Sequence, residues 1–303
     1  MSALRLALAQ YPITAPTHLE RFWAKVESVL GDAAAGGAQL VVLPEYASME
    51  VAACFAGAGT TGGELASVCR VAPALLAGFR DAAQRHKVWL LPGTLPWASG
   101  SRVVNRAPLI DPAVRMAIQE KSVMTRFEAE SWGVCPGAPP RVFATDWGTV
   151  GIAICYDVEF PQLVRAQAEA GAWLILAPSC TDSLHGFNRV RLSARARALE
   201  NQCFVAISPT VGLAPTLASL DENHGYAAVY GPVDRGFPAD GVTARGVLDE
   251  AGLVFADLDR DTLEAVRADG AVHNFRDWPR AVGVCATTRL EEGQGSALDP
   301  LGP

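Results

Sequence analysis

The 303 residues are half hydrophobic and carry a formal net charge of −7, enough apolar material for one large core or two small ones. That acidic balance argues against nucleic acid or an anionic membrane as a partner, because both select clustered Lys and Arg. No basic-then-apolar leader opens the chain, and its apolar runs stop well short of the roughly 20 residues of a membrane span. A soluble, cytoplasmic protein is expected.

Predicted elements alternate along the chain. Residues 4–9 form a nearly continuous apolar strand. Leu19, Phe22, Trp23, Val26, Val29 and Leu30 then follow helical spacing, and Gly36-Gly37 closes the segment. A strand over 40–43, a Gly-rich loop over 57–63, a helix over 71–85 and a strand over 88–91 come next. Residues 102–110 and 114–120 read as a hairpin turning at Asp111-Pro112. The second half repeats this rhythm: strand 150–154, helix 161–170 opened by Pro161, strand 173–177, helix 188–200 and strand 204–208. Short strands at 227–230 and 253–258 and a helix at 262–268 complete the pattern. Residues 1–285 read as a single domain, and the polar, Gly- and Pro-containing stretch 286–303 as a loosely held tail. Strands apolar on both sides need cover on both faces. Two half-units of sheet and helix therefore suggest an α/β protein built as a layered sandwich in which two sheets pack between helices.

Seven cysteines (Cys54, Cys69, Cys135, Cys155, Cys180, Cys203 and Cys285) occur without a CxxC pair or a zinc-type Cys/His cluster. They point to free thiols in a reducing compartment and to no metal. Six read as small buried hydrophobes. Cys155 differs, because it ends the apolar run Gly151-Ile152-Ala153-Ile154 and is followed at once by polar residues and a helix start. A strand ending in Cys155 would present the thiol near a helix N-terminus, where backbone N–H groups lower a thiol pKa and can hold an oxyanion. Two further apolar runs end in ionisable residues, Leu40 to Glu45 and Met116 to Lys121. A carboxylate, an amine and a thiol at three strand ends can make an active site.

Leu43-Pro44-Glu45, Glu120-Lys121 with Phe127 to Trp132 and Pro136-Gly137 beyond it, and Ile154-Cys155-Tyr156-Asp157 resemble the three signature blocks of the nitrilase superfamily of carbon–nitrogen hydrolases. Ala196 to Asn201 resembles a fourth recurrent stretch, and the likeness runs from residue 4 to about 260. The resemblance implies a four-layer αββα sandwich of nitrilase type, with no metal or organic cofactor and at least a homodimer. It implies Cys155 as nucleophile, Glu45 as general base, and Lys121 with the backbone N–H of Tyr156 as holders of the oxyanion. These residue types suit amide hydrolysis, since a thiolate splits one difficult step into two easier ones. A second family glutamate falls on Glu128 or Glu130. The interval back from Pro136-Gly137 favours Glu130 as the catalytic one, leaving the other to pair with Arg126 at the surface.

A Cys–His pair of papain type is the rival nucleophile system. Of the five histidines, only His185 lies in a loop expected to border the pocket, and a substrate-contact role suits it better than a base role. Trp132, Ser179, Glu128 and Arg189 are further candidates for substrate binding. The expected activity is cleavage of a small carboxamide through a thioester on Cys155, releasing ammonia or an amine. A nitrilase or N-carbamoyl amide hydrolase would use the same residues, and a catalytically idle binding protein on this scaffold is the alternative of another class. Assembly is expected through the helices over 161–170 and 188–200, where apolar and Arg side chains mix.

Overall fold

The computed structural model describes residues 3–55, 59–281 and 283. In the first half, the elements are β1 (Ala3–Pro12), α1 (Leu19–Ala35), β2 (Leu40–Val42), α2 (Thr61–His86), β3 (Trp89–Leu91), β4 (Leu95–Ser99), β5 (Arg102–Ile110) and β6 (Met116–Glu120). The second half contributes β7 (Val142–Thr145), β8 (Gly148–Ile152), α3 (Pro161–Glu169), β9 (Leu174–Ser179), α4 (Leu184–Asn201) and β10 (Phe204–Leu213). It closes with β11 (Glu222–Asn223), β12 (Ala228–Tyr230), β13 (Val242–Arg245), β14 (Gly252–Asp259), α5 (Arg260–Asp269) and α6 (Asn274–Asp277).

Strands β1, β2 and β3 run parallel, with β14 antiparallel on the far edge of β1 and β5 antiparallel beside β3. Arg106 of β5 faces Leu95 of β4 and Glu120 of β6, so those two strands flank β5 on opposite edges. The second sheet runs β7-β8-β9-β10-β12-β13. The sheets join where Tyr11-Pro12 pairs in parallel with Thr210-Val211.

Side-chain alternation sorts the strands into layers, because successive Cβ atoms point to opposite faces. Leu4, Leu6 and Leu8 of β1, with Leu40 and Val42 of β2, share one core cluster with Ile152, Leu174 and Ile207 of the second sheet. Ala7, Ala9 and Tyr11, with Val41 and Leu43, pack instead with Phe22, Val26 and Leu30 of α1 and Val68, Leu75 and Phe79 of α2. Helices α3 and α4 lie on the second sheet through Val164, Val190, Ala194 and Ala198. This is the expected αββα sandwich. Truncating one of these fully buried leucines to Ala would cost ~2–5 kcal/mol.

Local chemistry moved several boundaries. Helix α2 starts at Thr61, before the expected residue 71, because the Thr60 side chain caps Gly63 N, and Pro73 is carried inside the helix. Helix α4 likewise starts at Leu184, capped by Ser183 on Gly186 N. Strand β8 ends at Ile152 instead of running to Cys155. Short strands β4, β7, β11 and β13 had no signal strong enough to separate them from loops. The tail expected at 286–303, and Cys285, lie outside the described residues.

Candidate active site

Glu45, Lys121 and Cys155 follow the C-terminal ends of β2, β6 and β8. Glu45 follows β2, whose ladder continues through Leu43 N to Leu91 O at 2.8 Å. The loop beyond β3 lies directly on it: Gly93 has φ +76, and a Cβ there would stand 1.7 Å from the Pro44 carbonyl. Only glycine permits that approach. Tyr46 then takes a left-handed φ of 56, with its N–H donating to Thr94 Oγ1 at 3.0 Å. Lys121 extends β6 by one step, its N–H donating to Asn105 O at 2.9 Å.

The Lys121 ammonium bridges two carboxylates. It donates to Glu45 Oε1 at 2.8 Å and to Glu128 Oε2 at 2.7 Å, and the lysine is 1% exposed. Asn105 Nδ2 also donates to Glu45 Oε1, at 2.9 Å. Glu128 is fixed on several sides, accepting from Tyr46 OH at 2.7 Å, Thr125 N at 3.0 Å and Thr125 Oγ1 at 2.9 Å. It sits in a π-helical turn, Phe127–Trp132, and a turn of that type recurs at functional sites.

This corrects the choice between the two glutamates. Glu130 stays 60% exposed at the side chain and pairs with Arg126, Nε to Oε1 at 2.9 Å. Glu128 joins the cluster instead. Glu128 lies in the π-helical turn Phe127–Trp132, whose wider winding changes which side chain faces inward, so counting back from Pro136-Gly137 pointed to the wrong glutamate.

Cys155 opens a 3-10 turn, Cys155–Glu159, and itself holds a left-handed φ of 46. For a residue with a side chain this conformation costs on the order of 1–3 kcal/mol, and surrounding contacts must impose it. Its thiol donates to Cys180 O at 3.5 Å, at the corner where β9 ends. It lies within reach of the charges of Glu45 and Lys121. Asp157 ties this turn to the lysine segment: its carboxylate accepts from Val123 N at 2.8 Å and Ser122 N at 3.1 Å. Arg197 of α4 braces the same turn, Nε donating to Val158 O at 3.0 Å.

Electrostatics follow from burial. Burial pushes Glu45 up to about 7, Lys121 offsetting part of the rise and Glu128 adding to it. Burial would lower Lys121, but the two carboxylates outweigh it and hold the ammonium well above its ordinary value. Burial would also raise Glu128, yet Lys121 and the hydrogen-bond donors around it hold it below the usual range. The Cys155 thiol is raised well above its ordinary value by burial and then by the Glu45 charge. That reverses the expected lowering by a helix N-terminus: α3 begins only at Pro161, beyond the 3-10 turn. Asp157 is pushed up to about 6 by burial. A protonated thiol beside a carboxylate that titrates near neutrality can pass its proton to that carboxylate when an electrophile arrives.

The remaining candidates lie around this centre. Trp132 is buried edge-on against the Tyr46 ring, centroids 4.9 Å apart. Tyr156 is half-buried, its ring against Phe160 at 4.9 Å. Ser179 is buried, with Oγ donating to Ala177 O at 3.0 Å. His185 is exposed on the first turn of α4, and Arg189 is exposed with Nε 3.6 Å from Glu159 Oε1. Neither joins the cluster. The sequence reading missed Tyr46, Asn105 and Asp157; the first and last flank the signature residues, and a polar Asn inside an apolar strand was a signal for the second. Among the described residues no group of three or more His, Cys, Asp or Glu could hold a metal ion, and no helix is long and apolar enough to cross a membrane.

Such a site on an αββα sandwich defines a class. The sequence profile of the carbon-nitrogen hydrolase family matches residues 5–268, and the chain belongs to that family. It is therefore a nitrilase-superfamily hydrolase acting on carbon–nitrogen bonds other than peptide bonds. A probable hydrolase of Bacillus subtilis, YhcX, is 29% identical over 279 residues, 92% of this chain and 54% of that protein. The chain thus spans about half the length of that relative. Saccharomyces cerevisiae Nit3, a member of branch 10 of the nitrilase superfamily, shares the fold with TM-score 0.72 at 23% identity, over 88% of this chain and 94% of Nit3. An amidase from Nesterenkonia sp. matches with TM-score 0.69 at 25% identity, over 91% of this chain and 96% of its own. A variant of that amidase carries the acetamide moiety of fluoroacetamide covalently on its active-site cysteine.

Proposed function

We propose that this protein is an amidase that converts a small carboxamide and water into a carboxylic acid and ammonia or an amine, through a thioester on Cys155. The observation that carries the reading is the buried Glu45–Lys121–Glu128 cluster set against the Cys155 thiol. In the first half-reaction Glu45 takes the thiol proton as Sγ attacks the carbonyl carbon. The ammonium of Lys121 and the N–H of Tyr156 stabilise the oxyanion, a contribution worth about 3 kcal/mol or more. Collapse breaks the C–N bond, and Glu45 hands its proton to the departing nitrogen. Water then attacks the thioester, giving up a proton to Glu45. The second tetrahedral intermediate releases the acid, and the proton returns to Sγ. Glu128 positions Lys121 and takes no proton itself. The cysteine adduct of the Nesterenkonia amidase supports the covalent route.

The reading includes a homo-oligomer in a reducing cytoplasm. The six described cysteines are free thiols. Helix α4 exposes Leu192 and Leu199 beside the half-buried Arg195, at one-face spacing. A sedimentation velocity run showing only a fully active monomer would remove the oligomer from the reading. The activity is tested by ammonia release from a panel of short amides, nitriles and N-carbamoyl compounds. Release from amides is expected; turnover confined to nitriles or N-carbamoyl compounds, or none at all, overturns it.

A further inference from the structure

Asn105 and Lys121 face each other across the β5–β6 pair. The register sets Arg106 of β5 opposite Glu120 of β6, and the next step brings Lys121 N to Asn105 O at 2.9 Å. Paired residues of neighbouring strands project to the same face. Both side chains reach one target: Asn105 Nδ2 donates to Glu45 Oε1 at 2.9 Å, and Lys121 Nζ donates to the same oxygen at 2.8 Å. Among the described residues these are the two hydrogen-bond donors to Glu45, and Oε2 receives neither.

The two donors differ in what else they do. A lysine ammonium has three N–H donors; one goes to Glu45, one to Glu128, and the third is left for the oxyanion. As negative charge grows on the substrate oxygen, the charge of Lys121 is divided among three acceptors. Asn105 is uncharged and 0% exposed, and its bond to Glu45 is the one its side chain makes among the described residues. Its own Oδ1 is buried without a partner among those residues. An unpaired buried acceptor costs stability, so this carboxamide is a poor strut. What it supplies is a fixed, neutral donor to Glu45.

Neutrality matters to the proton-transfer step. The titratable groups facing Glu45 are Lys121 of β6, Glu128 of the π-helical turn, Tyr46 beside it, Cys155 of the 3-10 turn and Cys180 at the end of β9. Each of these carries or can acquire a charge. Asn105 does not titrate, so its bond favours the ionised carboxylate at every pH and at every stage of the reaction.

We propose that Asn105 is a positioning residue for the amide-hydrolysing reaction: it holds Glu45 by Oε1 while Lys121 turns its charge to the oxyanion, and so leaves Oε2 to exchange the proton with the Cys155 thiol, the departing nitrogen and the water. The assignment rests on the reading of Cys155 as nucleophile and Glu45 as base. Asn105 takes no proton itself; it acts through Glu45.

Two measurements on the full chain test this: kcat and KM for a short amide across pH, and alkylation of Cys155 by iodoacetamide across pH, read by peptide mass spectrometry and independent of amide turnover. Asn105→Leu, close in size and without a donor, should lower kcat about tenfold with KM within about twofold. Loss of a donor to the ionised form raises the Glu45 pKa, so the acid limbs of alkylation and of kcat/KM should both move up by about one pH unit. Asn105→Asp, isosteric and unable to donate when ionised, adds a like charge and should move both limbs at least as far; it carries the test if Asn105→Leu does not fold. Limbs that stay in place in a folded variant, whatever the fall in kcat, overturn the positioning role. An alkylation limb that moves while the unmodified protein turns over no amide upholds the hold on Glu45 and overturns the amidase reading instead.

Discussion

Two buried clusters, five residues apart in sequence, use almost the same parts. Glu50 accepts from Tyr11 OH at 2.6 Å, Thr14 N at 2.9 Å, Thr14 Oγ1 at 2.8 Å and Lys25 Nζ at 2.7 Å. Glu45 and Glu128 likewise meet a lysine and a tyrosine, at 2.7–2.8 Å. The Glu50 cluster sets one carboxylate against one ammonium and fills both carboxylate oxygens. It is finished, and it pins the turn Ala47–Cys54 to β1 and α1. In the Glu45 cluster one ammonium is shared by two carboxylates, both donors to Glu45 go to Oε1, and the Cys155 thiol lies within reach of its charge. Burial, with the like charge of Glu128 added and only part of the rise offset by Lys121, leaves Glu45 able to titrate near neutral pH. Composition does not separate a strut from a reactive centre here; charge balance does.

That contrast can be broken experimentally. Cys155→Ala should lower amide turnover by at least about 10⁴-fold with the circular dichroism spectrum unchanged, because the covalent route is lost. Glu45→Gln should lower kcat by about 10²–10⁴-fold. In the unmodified protein Glu45 must be ionised to accept the thiol proton. With its pKa raised to about 7, kcat/KM should fall tenfold per pH unit below that value, and the limb should vanish from the residual activity of Glu45→Gln.

Glu128→Gln removes the like charge that helps raise Glu45, so the acid limb should move to lower pH while kcat drops as Lys121 loses an anchor. Glu130→Gln, which touches only Arg126, should leave both within about twofold, in line with the small worth of exposed pairs. Glu50→Gln sharpens the comparison from the other side. Loss of a charged hydrogen-bond acceptor should reduce unfolding free energy by ~2–3 kcal/mol in urea titration, with kcat per folded molecule unchanged.

Much of the sandwich was legible because its period is plain: the apolar alternation of β1 and the helical spacing of α1 each state which face is buried. Helix starts were less so, since Thr60 and Ser183 set them by single capping bonds amid loop-like residues. The gathering of Glu45, Lys121 and Cys155 was legible from three strand ends and the resemblance of their surroundings. Glu128 was not, because a π-helical turn shifts which side chain points inward. The direction of the Cys155 shift was not either, since burial depends on how four layers close around a turn.

The central claim is covalent catalysis by Cys155 under the charge of Glu45. Rapid-quench peptide mass spectrometry during turnover of a short amide tests it directly. An acyl group on the Cys155 peptide, present with the intact protein and absent in Cys155→Ala, is the predicted result; turnover that continues with the acyl group on Cys180, or with Cys155 replaced, would contradict it.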